Sequence, residues 1–236
     1  MYKKIRTEGL VLKKIPSGEA DYLFSIFSKD LGKIQVLAKA IRKISSKLKN
    51  QIDVLNLVKI EFVQGKGNLI LTDAILVSPF FSIKKDLMRL KISFKILEIL
   101  QNFLPLETKE ERIYKISLLA FKKLEKNIKP LNVFSVYLGF FWIFFALSGY
   151  GVDFYRCFRC QKKLKKGINY FSLKEKAIFC KICYSQGGIP LSENHIKILR
   201  FVTENFNLAD KLRAKKDDLL DLIKLSESYL KSIEEI

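Results

Sequence analysis

Apolar and polar positions alternate along much of residues 1–79, the pattern of β-strands with one buried face. Three runs show this alternation, and two more are rich in β-branched and aromatic residues. The five predicted strands lie at 10–12, 23–27, 34–38, 54–63 and 69–77. Asp30–Gly32 and Gln64–Asn68 have the composition of hairpin turns. Five short strands joined by such turns predict a small barrel, for which the OB-fold is the leading candidate.

After Pro79 the apolar spacing changes to three and four residues, the period of a helix. Helices are predicted at 82–103, 109–128, 131–148, 192–205 and 215–234, and a short hairpin at 168–171 and 177–180. Ser192 is a predicted N-cap, and Gly149 a predicted left-handed cap after the third helix.

The third predicted helix is apolar on every side between residues 131 and 147. Seventeen residues are at the lower limit for crossing a bilayer, and polar or small residues interrupt the stretch. We therefore expect the buried centre of a helical domain, with a membrane segment as the alternative.

The four cysteines of the chain form two CxxC pairs, Cys157 with Cys160 and Cys180 with Cys183. This spacing is typical of a structural zinc site, and the hairpin between the pairs is long enough to bring them together. Four thiolates leave no open position for water or substrate, so we expect one structural zinc per chain. An iron–sulfur cluster, two disulfides or a redox CxxC are weaker interpretations. Disulfides would require an oxidising compartment, and we see no signal-peptide pattern.

These patterns together predict a multidomain α+β chain. An N-terminal OB-fold barrel is followed by an α-helical domain with an embedded four-cysteine zinc element. The predicted domains are 1–79 for the barrel, 80–150 with 191–236 for the helices, and 151–190 for the zinc-ribbon-like insertion.

The formal net charge of +19 is large for 236 residues. The excess is spread over residues 1–190, whereas residues 191–236 have a net charge of −1. Such a field favours a polyanionic partner, with nucleic acid first and anionic lipid second. A lysine-rich surface that serves only solubility is the alternative.

Cations are concentrated between Lys39 and Lys49, in one predicted loop between the third and fourth strands. Many donors on a flexible segment suit backbone phosphates. A second, lysine-rich patch lies beside the cysteines. The predicted nucleic-acid-binding residues are Lys39, Arg42, Lys43, Lys47, Lys49, Lys66, Lys162, Lys163, Lys165 and Lys166. Tyr22, Phe24 and Phe27 could each stack on a base, although a core position is the stronger expectation for each of them.

Candidate catalytic groups are scarce. His195 is the only histidine, and we expect it to be an ordinary surface residue in the first turn of a helix. The sequence has neither the His-x-Glu element of a zinc deaminase nor a GxxxxGK[ST] phosphate loop. The chain is therefore not expected to be an enzyme.

Several short motifs resemble the RecO family of bacterial DNA repair proteins. They lie at 9–14, 18–21, 23–27, 32 and 39–43. The order of parts agrees as well: a barrel, a helical domain, and a four-cysteine element before the last helices. One position departs from the family pattern, because Ala40 stands where a glycine usually follows the lysine of the basic motif.

The resemblance implies a recombination mediator that binds single- and double-stranded DNA and anneals complementary strands. With RecR, and often RecF, such a protein helps to load RecA onto strands coated by single-strand-binding protein. It also implies that the acidic C-terminal tail of single-strand-binding protein docks on this chain. The segment 82–129 offers the expected mixture of apolar and cationic residues: Leu87, Leu90 and Phe94 with Lys84, Lys85, Arg89 and Lys91.

Two further functions remain as alternatives. A zinc-ribbon transcription or RNA-processing factor would use the same cations and cysteines. A membrane-associated basic protein would use the apolar helix. We expect a cytoplasmic, nucleoid-associated protein without a membrane partner.

Overall fold

In the computed structural model, which describes residues 4–126, 128–184 and 186–234, the first five strands close into a barrel. They are β1 (Lys4–Ser17), β2 (Asp21–Ser28), β3 (Gly32–Ala38), β4 (Leu57–Gln64) and β5 (Leu69–Ser78). The order around the barrel is β1-β2-β3-β5-β4, and β1 pairs with both β2 and β4. The β3–β5 pair is parallel, whereas the other pairs are antiparallel. The predicted OB-like barrel is confirmed.

The barrel is filled by the inward side chains of all five strands, among them Phe24 and Phe62. β2 is buried on both faces along its second half. Three helices follow the barrel: α1 (Phe81–Lys85), α2 (Leu87–Phe103) and α3 (Glu111–Glu125). Phe27 is 0% exposed and meets Tyr114 of α3 edge-on at 5.4 Å between ring centroids. Strict alternation therefore ends where a strand has a second buried face.

Several predicted boundaries differ from the structure: β1 covers Lys4–Ser17 and not only 10–12, and α3 ends at Glu125 and not at 128. Two further differences have a local cause. The helix predicted at 82–103 is divided by Asp86, whose backbone is extended and whose side chain caps α2 by accepting from the Arg89 N–H at 3.0 Å. The fourth strand begins at Leu57 and not at Val54, because Leu55 adopts a left-handed conformation with φ of 66°. A residue in that conformation cannot continue an extended strand.

The last hundred or so residues are built around α4 (Pro130–Leu147). The elements that follow are β6 (Asn169–Ser172), β7 (Ala177–Cys180), β8 (Ile189–Leu191), α5 (Glu193–Glu204), a short 3-10 helix (Phe206–Lys211) and α6 (Lys216–Glu234). The three strands form one sheet in the order β7-β6-β8. The hairpin β6–β7 was predicted, but β8 was not, because three residues are too few for a periodic signal.

α4 is the buried centre of this part of the chain, as the sequence predicts. Its length and hydropathy would allow a membrane span, yet 67% of the span is buried inside the structure. Phe140, Phe141, Phe144 and Phe145 are all 0% exposed. A Cβ on Gly139 would lie 2.6 Å from the Phe206 ring, so glycine lets the 3-10 helix pack closely on α4.

Both predicted helix caps of this region are present. At the end of α4, Tyr150 N–H donates to Phe145 O and Gly149 N–H donates to Ala146 O, with a φ of 89° at Gly149. This is a Schellman motif. At the start of α5, the Ser192 hydroxyl accepts from the His195 N–H at 3.2 Å, and His195 Nδ1 accepts from the Ser192 N–H at 3.4 Å. The expectation of a surface histidine is wrong: His195 is 8% exposed and serves the cap.

The chain divides into two compact units, Met1–Glu125 and Lys126–Ile236. The first holds the barrel with α1 to α3, and the second holds α4, the cysteine-bearing sheet and the last helices. The predicted domain limits at 79, 150 and 190 stay a prediction.

Candidate nucleic-acid interface and metal centre

The cationic loop between β3 and β4 is fastened to the barrel. Ala40 N–H donates to Asp21 Oδ1 at 2.7 Å, and Arg42 N–H donates to Ala20 O at 2.9 Å. Ile41 and Ile52, each 2% exposed, belong to the barrel core. These anchors hold the loop in place while its cations face solvent. The five predicted phosphate-binding residues of the loop are all exposed: Lys39, Arg42, Lys43, Lys47 and Lys49.

Ala40, the position in the basic motif where we expected glycine, has an unusual backbone conformation. Its φ is 52°, in the left-handed region that glycine adopts without strain. The loop therefore turns at Ala40, and alanine adopts this conformation at an energetic cost. The Lys43 N–H donates to Ala40 O at 3.1 Å and closes the turn.

A pocket of about 410 Å³ opens beside this loop. The Tyr22 ring lines it, with Lys14 Nζ at 5.2 Å and Arg42 Cζ at 5.7 Å from the ring centroid. Of the three aromatic residues considered for stacking, Phe24 and Phe27 lie in the core, and only Tyr22 is partly exposed. Lys14 was not singled out from the sequence, because its strand neighbours gave no sign that it faces this loop.

The remaining predicted cations fall into two groups. Lys66 is exposed in the turn between β4 and β5, within the first unit. The second group lies in the other unit, between the two cysteine pairs, and is exposed throughout: Lys162, Lys163, Lys165 and Lys166. The ten predicted residues thus belong to two units, and their role in binding DNA stays a prediction.

The structure brings the four cysteines together. Their sulfur atoms all lie within 4.8 Å of one another, and the Cys160 and Cys180 sulfurs are 4.0 Å apart. A tetrahedron with Zn–S bonds near 2.3 Å has S···S edges of about 3.8 Å. Cys157 is fully buried, and the other three are half-buried. The four sulfurs therefore fit a tetrahedral metal ion such as zinc.

Backbone N–H groups near the cysteines favour the thiolate form of Cys157. Burial raises the pKa of Cys157, but N–H groups of Cys160, Cys180 and Arg159 outweigh it and hold that pKa at about 6. The Cys180 N–H lies 3.3 Å from the Cys157 sulfur. Burial, with hydrogen bonds among the cysteines, raises the pKa of Cys183 to about 12. One thiolate is thus favoured by the fold alone, whereas four thiolates would need the charge of a cation.

A closed OB-like barrel with an exposed cationic loop, followed by a helical unit in which four cysteine sulfurs could hold a metal ion, defines a class of multidomain OB-fold proteins. Comparison with known proteins agrees with this class. Residues 1–80 match the family of the recombination protein O N-terminal domain, and residues 84–232 match that of its C-terminal domain.

Curated relatives extend the match over most of the chain. The DNA repair protein RecO of Dehalococcoides mccartyi strain BAV1 is 30% identical over 222 residues, which cover 92% of this chain and 85% of the relative. RecO of Caldicellulosiruptor saccharolyticus is 27% identical over 232 residues, or 98% and 93% of the two chains. RecO of Thermodesulfovibrio yellowstonii is 30% identical over 222 residues, or 87% and 86%. This chain belongs to the RecO family of DNA repair proteins.

Proposed function

We propose that this protein is a recombination mediator that binds single- and double-stranded DNA, anneals complementary strands and helps to load RecA. Its function is binding without covalent catalysis, in the cytoplasm and in association with the nucleoid. The observation that carries the proposal is the exposed cationic loop fastened to an OB-like barrel in a chain of the RecO family.

The charge distribution supports annealing. Two DNA strands repel each other, and a protein with a net charge of +19 lowers that repulsion by neutralising phosphates on both. Lys39, Arg42, Lys43, Lys47 and Lys49 supply sequence-tolerant phosphate contacts, and Tyr22 offers a ring at the edge of the same surface.

The metal centre has a structural role in this proposal. Zinc bound by Cys157, Cys160, Cys180 and Cys183 would fix the two CxxC turns against β6 and β7, and would supply no catalytic water because all four positions are sulfur. The four cysteines themselves orient the basic segment that lies between them.

The proposed protein partners are RecR, RecF and the C-terminal tail of single-strand-binding protein. For the tail, α2 presents exposed Leu87 (69%) and Phe94 (49%), with exposed Lys91 between them. An apolar pair beside a cation suits a tail that ends in an apolar residue with a free carboxylate. No membrane partner is proposed.

Annealing of complementary DNA precoated with single-strand-binding protein tests this function. The wild-type protein should anneal the strands, and the double variant Lys43→Gln/Lys47→Gln should anneal them more slowly. The control Lys59→Gln/Lys122→Gln removes the same charge from exposed sites outside the loop and should anneal like the wild type. When the strands are coated with single-strand-binding protein that lacks its acidic tail, the wild-type protein should no longer anneal them. It should still anneal bare strands. Wild-type protein that anneals neither bare nor coated strands would contradict the proposal and favour a transcription or RNA-processing factor.

A further inference from the structure

The cysteine-bearing sheet carries a pocket that neither the cationic loop nor the lysines of residues 162–166 explain. It has a volume of about 510 Å³ and is lined within residues 158–187. Its walls include three aromatic rings, of Phe158, Phe179 and Tyr184, and two cations, Arg159 and Lys174.

The aromatic wall is held in place but open on one side. Phe158 is 54% exposed, while Phe179 beneath it is 8% exposed, and their rings meet edge-on at 5.6 Å between centroids. The Phe158 N–H donates to Ile178 O at 2.8 Å, which ties the first CxxC turn to β7. Tyr184 is stacked on Tyr170, with ring centroids 3.9 Å apart. Phe158 therefore offers solvent a supported aromatic surface.

The charged wall favours an anion. Arg159 donates to Cys183 O at 3.3 Å, so its guanidinium is held near the pocket, and Lys174 is exposed at the turn between β6 and β7. Glu175 also lines the pocket, but residues 151–190 carry a net charge of +7. A ligand that combines a flat apolar group with negative charge matches these walls.

We propose that this pocket takes one unstacked base of a single strand of nucleic acid, with Phe158 as the stacking platform and Arg159 and Lys174 facing the flanking phosphates. The inference rests on the proposed DNA binding and deepens it. Annealing requires two strands, and this pocket gives the second unit a strand site of its own. The open face of Phe158 favours a planar base. An acidic peptide that ends in an apolar residue is the alternative occupant, and its affinity for the Phe158 variants distinguishes the two.

Photocrosslinking and affinity measurements on the full chain test the pocket. A short oligodeoxynucleotide containing 5-iododeoxyuridine should crosslink to Phe158 or Tyr184, located by mass spectrometry. Phe158→Ala should weaken binding of a fluorescent oligothymidylate about tenfold, within the range for losing one base–aromatic stack, while the salt slope stays unchanged. Lys174→Gln should instead lower that slope by about 0.7, the value for one phosphate contact on a single strand.

Two controls separate stacking from folding. Phe158→Leu keeps the apolar contact with Phe179 but has no π-face, so it should weaken oligothymidylate binding as much as Phe158→Ala does. Phe158→Trp keeps an aromatic face, so it should bind oligothymidylate like the wild type. Ile182→Ala removes a side chain that is 88% exposed on the other CxxC turn and does not line the pocket, so it should bind like the wild type.

The outcomes distinguish this inference from the proposed function. If the wild type binds oligonucleotides and the loop variants weaken it, but the Phe158 variants do not and no crosslink falls in 158–187, only the pocket assignment is overturned. It is also overturned if the Phe158 variants lose affinity for a fluorescent acidic peptide but not for DNA. If the wild type binds no oligonucleotide, the proposed function fails as well.

Discussion

Ala40 shows how a single backbone angle shapes the cationic loop between β3 and β4. Ala40 has a φ of 52°, a left-handed conformation that glycine adopts without strain. For alanine this conformation costs about 1–2 kcal/mol of folding free energy. The same angle orients the chain so that Ala40 N–H reaches Asp21 and the next cations face solvent.

Ala40→Gly should accordingly leave the protein equally stable or make it more stable by up to about 1 kcal/mol. Relief of the strain is partly offset by the greater entropy of glycine in the unfolded chain, about 0.4–1 kcal/mol. Chemical denaturation measures the change. Ala20→Gly is the matched control, because Ala20 lies at the facing turn without a positive φ and should lose stability. If Ala40→Gly lowered the free energy of unfolding as much as Ala20→Gly does, the backbone of Ala40 would not be strained.

Glu61 is the most strongly perturbed carboxyl group of the barrel. Hydrogen bonds from Lys4 and Arg6, and a weaker one from Thr72, hold the pKa of Glu61 at about 2, against burial that would raise it. Lys4 Nζ and Arg6 Nη2 each lie 2.8 Å from its oxygens. The carboxylate thereby ties the start of β1 to β4 and β5.

This pKa predicts how stability depends on pH. As the pH falls, the unfolded chain takes up the proton of Glu61 near the ordinary glutamate pKa of 4.5, before the folded state does at about 2. The stabilising contribution is therefore complete above about pH 4.5, falls as the pH drops, and is absent below about pH 2. The unfolding free energy of the wild type, relative to Glu61→Gln, should decline between these limits. Parallel curves for the two proteins would show that the ion pairs contribute nothing to folding.

At the scale of elements, the β6–β7 hairpin and the two CxxC turns depend on each other. The Cys157 N–H donates to Lys162 O and the Tyr184 N–H to Cys180 O, so each turn places its two sulfurs locally. Only the hairpin places the pairs together. On the cysteine side of the hairpin the hydrophobic cluster is small, with Cys157, Ala177 and Phe179 as its buried members, so a bound metal ion would contribute much of the stability there. On the other side, Phe171 packs on Trp142 and Tyr229, with ring centroids 6.1 and 5.7 Å away.

Cys180→Ser should therefore release the metal and loosen residues 153–189 while the barrel stays folded. Elemental analysis would show about one zinc per wild-type chain and a loss in the variant. Hydrogen exchange would show faster exchange in the hairpin and unchanged protection in β1 to β5. Wild-type protein purified without chelator that contains neither zinc nor iron would contradict the metal centre.

At the scale of the whole molecule, we expect the positive charge to dominate the affinity for DNA. Because binding releases counterions from neutralised phosphates, affinity should fall steeply and linearly on a log–log plot against salt, with little sequence preference. Lys43→Gln/Lys47→Gln should reduce the slope by about 1 to 2 units, near the loss expected for two phosphate contacts. The matched double variant at Lys59 and Lys122 should keep the wild-type slope. An unchanged slope in the loop variant would make the loop a solvated surface only.

Much of this molecule could be predicted from local patterns. Two-residue periodicity located three of the barrel strands, and β-branched and aromatic composition located the other two. CxxC spacing identified the four cysteines that cluster, Ser192 the start of α5 and Gly149 the end of α4. Each of these is a rule about neighbours in the chain. The cationic loop is likewise a run of sequence neighbours. The family motifs were short, but their order matched.

Only the tertiary structure decided which of these residues face solvent. Phe27 and Tyr22 lie on one strand, yet one is buried under α3 and the other borders the cationic pocket. His195 is buried at the start of α5, where Asp218 Oδ1 of α6 lies 3.4 Å from its Nε2, so its burial follows from a contact between two helices. The Phe158 pocket is lined by residues from β7, from the two CxxC turns and from the turn that carries Lys174, which are separate segments of the chain. Sequence specifies local conformation and charge, whereas burial and the meeting of distant side chains follow from packing, which is a property of the folded chain.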